Sequence, residues 1–256
     1  MASVFVTGSS DGIGQETARQ LVRGGHRVVL HARDDARAKE TAAAVPEAAG
    51  VAVGDLSVIA GIRQTAASAK DLGPYDAVIH NAGVGSAAAR HRTADGGERI
   101  FAVNVLGPYL LTALMPLPAR LVYLSSGLQA AGRVALDDLQ WERRPWNGMQ
   151  AYRDSKLYDI LLAFAVARRH PELRCNAVDP GWIKTKMGGA RATGELPAGA
   201  DTQVWLVTSD EPAAAVTGRY LTSRREQRAN PAAYDTGLQD GLLAACAALT
   251  GVRLPS

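Results

Sequence analysis

Ser3-Val4-Phe5-Val6-Thr7-Gly8-Ser9-Ser10-Asp11-Gly12-Ile13-Gly14 begins as a short apolar run and ends in three glycines closely spaced. Ile13, Thr17, Ala18, Leu21 and Val22 then recur at helical spacing, and Gly24-Gly25 closes the pattern. The stretch reads as a strand, a glycine-rich turn and a helix. Glycines there let the backbone turn tightly and approach a pyrophosphate, which would rest on the amides and positive dipole end of the new helix. Outward from this unit, residues 27–32, 51–53, 75–80, 121–124, 174–178 and 219–222 read as further strands. Helical patterns separate them, over a segment ending at Ala44, over 57–72, around 98–114, from Tyr152 to near His170-Pro171, over 201–207 and over 232–249. Alternation of this kind predicts an α/β, doubly wound domain: a parallel sheet of about seven strands with helices on both faces.

At 256 residues one domain accounts for the whole chain, 1–256, and neither a repeat nor a linker interrupts it. Hydrophobic residues make up 47% and charged residues 21%, ordinary for a globular protein. The net charge of +3, with arginines dispersed, supplies no basic tract and so no nucleic-acid partner. Cys175 and Cys246 are too few and too far apart for a zinc site or a disulfide framework, and no metal is expected. Met1-Ala2 lead almost directly into the first strand, leaving no room for a signal peptide, and no apolar run approaches a membrane span. The expectation is a soluble, cytoplasmic protein without a membrane partner, and a homo-oligomer is compatible with such a chain.

The end of the second strand bears on the cofactor. An acidic side chain about 20 residues after the glycines would accept from the adenosine ribose hydroxyls, whereas an arginine accommodates a 2′-phosphate. The sequence there is His31-Ala32-Arg33, so NADP(H) is favoured over NAD(H). Asp34 and Asp35 read as helix caps. After the third strand, Asp55-Leu56 could take the adenine, the carboxylate accepting from its amino group and the leucine packing on the ring. Asn81-Ala82-Gly83, after the fourth strand, are suited to letting a ribose lie against the backbone.

Tyr152-Arg153-Asp154-Ser155-Lys156 sits on a helix, where residues four apart share a face, so an ammonium can lie beside a phenol. The positive charge favours the phenolate and makes an acid of the tyrosine. Asn104 stands among Phe101, Val103, Val105 and Leu106, where a polar side chain needs a partner. Ser125-Ser126 end the fifth strand, at the sheet edge where open α/β sheets place ligands.

Thr7-Gly8-x-x-x-Gly12-Ile13-Gly14, Asp55-Leu56, Asn81-Ala82-Gly83, Asn104, Ser125-Ser126, Tyr152-x-x-x-Lys156 and Pro180-Gly181 follow one another in this order from residue 7 to residue 181. With these residues the chain resembles the short-chain dehydrogenase/reductase family, whose members share a Rossmann-type fold. The resemblance implies a catalytic tetrad of Asn104, Ser126, Tyr152 and Lys156, the second serine of the pair matching the family's position. It implies a cofactor site that takes in Thr7, Gly8, Ser10, Asp11, Gly12, Ile13, Gly14, Arg33, Asp55, Leu56, Asn81, Ala82 and Gly83. Tyr152, Lys156, Pro180 and Gly181 complete it, with Ile183 and Thr185 on the nicotinamide carboxamide and phosphates. Ser126 and Tyr152 are 26 residues apart where the family commonly has about a dozen between them. That longer span, with Asp95-Gly96-x-Glu98-x-x-Phe101-Ala102-Val103-Asn104, looks like the retinol dehydrogenase and WW-domain-oxidoreductase-like branch.

The implied activity is NADPH-dependent reduction of a ketone or aldehyde carbonyl to an alcohol. The rival is a cofactor-binding regulator or scaffold with little turnover, which would be expected to have lost a tetrad residue. Two segments follow strand ends near the site: an insertion, 127–150, containing Trp141 and Trp146, and a Gly-, Ala- and Pro-rich flap, 187–200. Both are expected to close over the nicotinamide. With Trp182 they would build a pocket for a small, largely apolar carbonyl or alcohol substrate; the alternative is that Trp141 and Trp146 simply pin the insertion to the protein surface.

Overall fold

The computed structural model describes residues 1–255. Its order is β1 (Ser3–Val6), α1 (Gly12–Arg23), β2 (Arg27–Ala32), α2 (Asp35–Ala44), β3 (Gly50–Val53), α3 (Ile59–Asp71) and β4 (Ala77–His80). The second half runs α4 (Arg99–Phe101), a π-helical turn (Ala102–Leu106), α5 (Gly107–Leu114), β5 (Arg120–Leu124), α6 (Gly148–Arg169), β6 (Arg174–Asp179), α7 (Leu196–Thr208), β7 (Tyr220–Thr222), β8 (Arg225–Gln227) and α8 (Thr236–Thr250). The sheet order is β3-β2-β1-β4-β5-β6-β7-β8. All neighbours pair parallel except the last two.

The central strands are buried on both faces, as near-continuous apolar runs such as Val4-Phe5-Val6 and Ala77-Val78-Ile79 anticipate. Two cores result, one against each side of the sheet. Phe5, Val29, Val78, Leu121 and Tyr123 face the layer of α3, α5 and α6, whereas Val4, Val6, Val28, Leu30 and Ile79 face that of α1 and α7. Strand order reverses between β1 and β4, so the crevice between them opens at their carboxyl ends, the usual ligand position in such sheets.

Three elements differ from expectation. The sheet has eight strands, the eighth antiparallel. Arg225-Glu226-Gln227 is polar and exposed throughout, so no hydrophobic alternation marks it; Ser223 and Arg224, both with positive φ, turn the hairpin. Residues 196–200 belong to α7, with Pro197 in its first turn, where a missing N–H costs nothing. The flap therefore ends near residue 195. The helix around Asn104 is not regular: it widens into a π turn in which Gly107 N–H donates to the carbonyl of Ala102. Pro108 explains this, because it lacks an N–H and its ring crowds the carbonyl four residues earlier, that of Asn104.

Candidate active site

The glycine loop is held from below by side chains. The Thr7 hydroxyl accepts from the N–H groups of Asn81 and Ala82, both at 3.0 Å, and the Asn81 amide donates to the carbonyls of Thr7 and Gly8 at 2.8 and 3.1 Å. Thr7 is 1% exposed, so its hydroxyl shapes the cradle from within, while Asn81 is half-buried. A Cβ on Gly8, at φ +62°, would lie 2.6 Å from Cα of Ala82, and one on Gly14 would lie 2.3 Å from the Gly8 carbonyl oxygen. Neither position admits a side chain. His31, buried in β2, accepts from Gly8 N–H at 3.0 Å through Nδ1, while its Nε2 lies 2.9 Å from the Gly54 carbonyl. It ties the loop to the ends of β2 and β3, and burial pulls its pKa down. The Ser10 hydroxyl donates to the His31 carbonyl and accepts from Thr41.

Above the loop, a Cβ on Gly12 would meet the Thr185 methyl at 3.4 Å, and Lys186 reaches Asp11 at 3.0 Å. Asp11 also pairs with Arg37 at 3.3 Å. The chain after β6 thus crosses over the glycine loop. Gly181, at φ +86°, makes the turn, Pro180 is half-buried before it, and Ile183 is buried against Gly194 and Gly199. The Trp182 indole donates to the Gly188 carbonyl at 3.0 Å. Arg33 stands exposed beyond β2 with Nε 3.1 Å from Asp34. Asp34 caps α2 through Arg37 N–H; that bond, then Arg33, hold its carboxyl below the usual range. Asp55 is exposed, with Oδ1 accepting from Ser57 N–H at 2.8 Å. Leu56 turns inward instead, 4% exposed and packed in the core beside Gly107.

Of the implied tetrad, Asn104, Tyr152 and Lys156 gather near the carboxyl ends of β4 and β5, and Ser126 stands two residues beyond the end of β5. Lys156, buried, donates from Nζ to the Leu124 carbonyl at 2.8 Å and to Asp159 Oδ2 at 2.7 Å, and Nζ lies 5.9 Å from the centre of the Tyr152 ring. A Cβ on Gly83 would sit 3.6 Å from Nζ and 3.4 Å from Asn104 Oδ1. Asn104 holds Val84 through both N–H and carbonyl, at 2.8 and 3.1 Å, and donates to Ser155 at 2.9 Å; Ser155 in turn donates to the Tyr152 carbonyl. The two serines part company. Ser125 is buried with its hydroxyl donating to the Lys156 carbonyl at 2.7 Å, whereas Ser126 is half-buried and begins a 3-10 turn, Gly127–Ala131, accepting from Leu128 N–H at 3.3 Å.

Sequence reasoning gave no role to His31, Ser155 or Asp159, whose partners come from the fold. It had Glu98 only as part of a motif: its carboxylate caps α4 by accepting from Ile100 and Phe101 N–H at 2.8 and 2.7 Å, which orients the helix carrying Asn104.

The insertion is not built as a pocket wall of tryptophans. Trp141 is 7% exposed among Ile100 and Ala151, the Arg144 guanidinium lies 3.6 Å above its ring, and Trp146 meets it edge-on at 5.5 Å while donating to the Ala87 carbonyl. Arg144 continues to Asp138 and to Asp154 of α6. These contacts pin 127–147 to the body. The exposed large apolar side chains on this side are instead Leu128, Met149, Trp182 and Met187, the last against Gly85. No helix is long and apolar enough to cross a membrane, and no cluster of metal-binding side chains occurs, both among the described residues.

A nucleotide cradle at the switch point and a tyrosine-lysine pair facing it define an NAD(P)-dependent dehydrogenase/reductase acting on CH–OH groups, and the chain belongs to the short-chain dehydrogenase family, whose model matches residues 2–196. It is 41% identical over its full length to an uncharacterised oxidoreductase of Emericella nidulans, covering 99% of that protein. It is 32% identical to human retinol dehydrogenase 13, over 99% of this chain and 86% of the relative, in keeping with the retinol dehydrogenase-like branch. A crystal structure of an uncharacterised protein from Mycobacterium paratuberculosis superposes with a TM-score of 0.85 at 28% identity, covering 100% of this chain and 96% of that one.

Proposed function

We propose that this enzyme reduces a ketone or aldehyde carbonyl to an alcohol, reversibly, with NADPH preferred over NADH. The observation that carries the reading is the convergence of Tyr152, Lys156, Asn104 and Gly83 where the crevice opens beside the glycine loop. The cradle suits a dinucleotide: Gly8 and Gly14 admit no side chain, and Gly12 faces Thr185 across a narrow gap. When bound, NADPH supplies the hydride for the carbonyl carbon.

Tyr152 gives its phenolic proton to the carbonyl oxygen as charge develops there, and the neighbouring ammonium stabilises the anion left behind. Ser126, the serine whose hydroxyl is not committed to Lys156, donates to the same oxygen. Lys156 holds the nicotinamide ribose with the N–H that its two internal partners leave over. Asn104 fixes the Val84 backbone and holds a water linking Lys156 to solvent. Arg33, with no carboxylate at the end of β2, takes the adenosine 2′-phosphate. Leu128, Met149, Trp182 and Met187 offer apolar surface to a small, largely apolar substrate.

Following NADPH absorbance against a panel of aldehydes, ketones and quinones tests the reading. Turnover of panel members, with the alcohol as product, is expected. Tight NADPH binding without turnover of any of them would favour a cofactor-binding regulator.

A further inference from the structure

Asp159 lies outside every motif that marks the site, yet it is the charged partner of its lysine. It is buried three residues beyond Lys156 on α6, with Oδ2 2.7 Å from Nζ. Two opposite charges sealed from water lose hydration that their attraction only partly returns, so such a pair is weak evidence for stability by itself. Geometry suggests another use. An ammonium has three N–H groups. One goes to the Leu124 carbonyl of β5 and one to Asp159, which leaves one for the open side, where Gly83 carries no side chain to block it.

We propose that Asp159 is a positioning residue: its buried carboxylate anchors Lys156, so that the ammonium keeps its charge and one free N–H for the nicotinamide ribose. This rests on the reading of Lys156 as the ribose holder. Burial pulls the lysine pKa down, but the Asp159 charge, the negative charge that Tyr152 takes on when it loses its proton, and the Asp159 hydrogen bond outweigh burial and hold the amine above its ordinary range. Burial likewise pushes Asp159 up, against the pull of Lys156.

Other groups do not replace it. On β5, Tyr123 feels the Asp159 charge, but burial keeps its phenol protonated. Arg120 of β5 and Arg174 of β6 pair with Asp210. Cys175 of β6 and Cys246 of α8 are kept neutral by burial, and Asp240 of α8 is taken by Arg168 and Arg169. Asp179 of β6 accepts from Gly181 N–H, Arg99 lies on α4, and Tyr234, before α8, packs at a tilt against Phe164. Lys156 has no second carboxylate among the described residues.

The chain has only five lysines, which suits ¹³Cε-lysine NMR, with Lys156→Met assigning the signal. In the parent, Lys156 should titrate above the ordinary lysine range. In Asp159→Asn its midpoint should fall by at least about one pH unit, a tenfold change in acidity. NADPH affinity, nearly flat between pH 7 and 9 in the parent, should then weaken with rising pH in the variant. A Lys156 midpoint unchanged from the parent, or a lowered melting temperature with the parent's pH slope for NADPH, overturns the proposal and makes Asp159 a packing residue. Should Asp159→Asn not fold, the assigned Asp159 carboxyl in ¹³C-aspartate spectra of the parent decides. It must shift at the pH where Lys156 loses its proton, and the absence of a shared inflection overturns the anchor. NADPH affinity unchanged in Lys156→Met would reject the ribose reading of Lys156 instead, while the lysine titration still tests the anchor.

Discussion

Two side chains show how one residue carries charge logic that its neighbours in sequence do not reveal. Arg33 is exposed and shares its guanidinium with Asp34, so it acts at the surface. Replacing Arg33 by Asp should weaken NADPH at least about tenfold, roughly 1.4 kcal/mol or one charge-assisted contact, and NADH much less. Calorimetry giving equal losses for both cofactors would contradict the assignment of the 2′-phosphate to this residue. His80 is the opposite case: buried, with Nε2 3.0 Å from the Thr112 hydroxyl, its ring 4.7 Å from Tyr123, and Nδ1 without a partner. Burial pushes its pKa down to about 3 from the ordinary 6.5. A base with a depressed folded-state pKa contributes stability that is complete above the unfolded value and is lost as pH falls below it. Relative to His80→Phe, the parent should therefore lose about 2 kcal/mol of unfolding free energy between pH 7 and pH 5, at about 1.4 kcal/mol per unit below 6.5. Denaturant unfolding at the two pH values checks this, and an identical pH dependence in parent and variant would contradict it. The exposed place of Arg33 could be read from its position after a strand. The burial of His80 could not, because only the fold supplies it.

Elements were legible where the signal is local. Gly8 and Gly14 mark the turn between β1 and α1 because a side chain has no room there, and Gly12 because its φ is +55°; Tyr152 and Lys156 share a face because any helix would place them so. The Asn104 π turn and the Asp159 anchor stayed hidden, since each depends on contacts between distant segments. Strand β8 has no apolar alternation to read, and Pro197 looked like a loop residue although it opens α7. The insertion could be read two ways for a physical reason: tryptophans supply apolar area equally well to a ligand or to their own protein, and Trp141 and Trp146 serve the latter. Trp141→Ala should accordingly cost about 3–5 kcal/mol, the usual range for truncating a buried aromatic. Melting temperature should fall while the ranking of substrates stays as in the parent. A changed ranking at unchanged stability would restore the pocket-wall reading.

At the scale of the whole molecule, the sheet order brings the ends of β1, β4, β5 and β6 to one crevice, so glycine loop, Gly83, Ser126 and Gly181 share one sheet edge although about two thirds of the chain separates the first from the last. Eight strands with two apolar cores hold that meeting point rigid, while the segment after β6 crosses it through Thr185 and Lys186. Everything proposed for the chemistry depends on one proton leaving one phenol. The most direct test is Tyr152→Phe, assayed for NADPH affinity, melting temperature and turnover on the best carbonyl substrate of the panel. The account predicts NADPH affinity and melting temperature close to the parent's and turnover reduced by about 10² to 10⁴-fold, the usual worth of a positioned acid. Turnover within about threefold of the parent, far less than such an acid contributes, would contradict it.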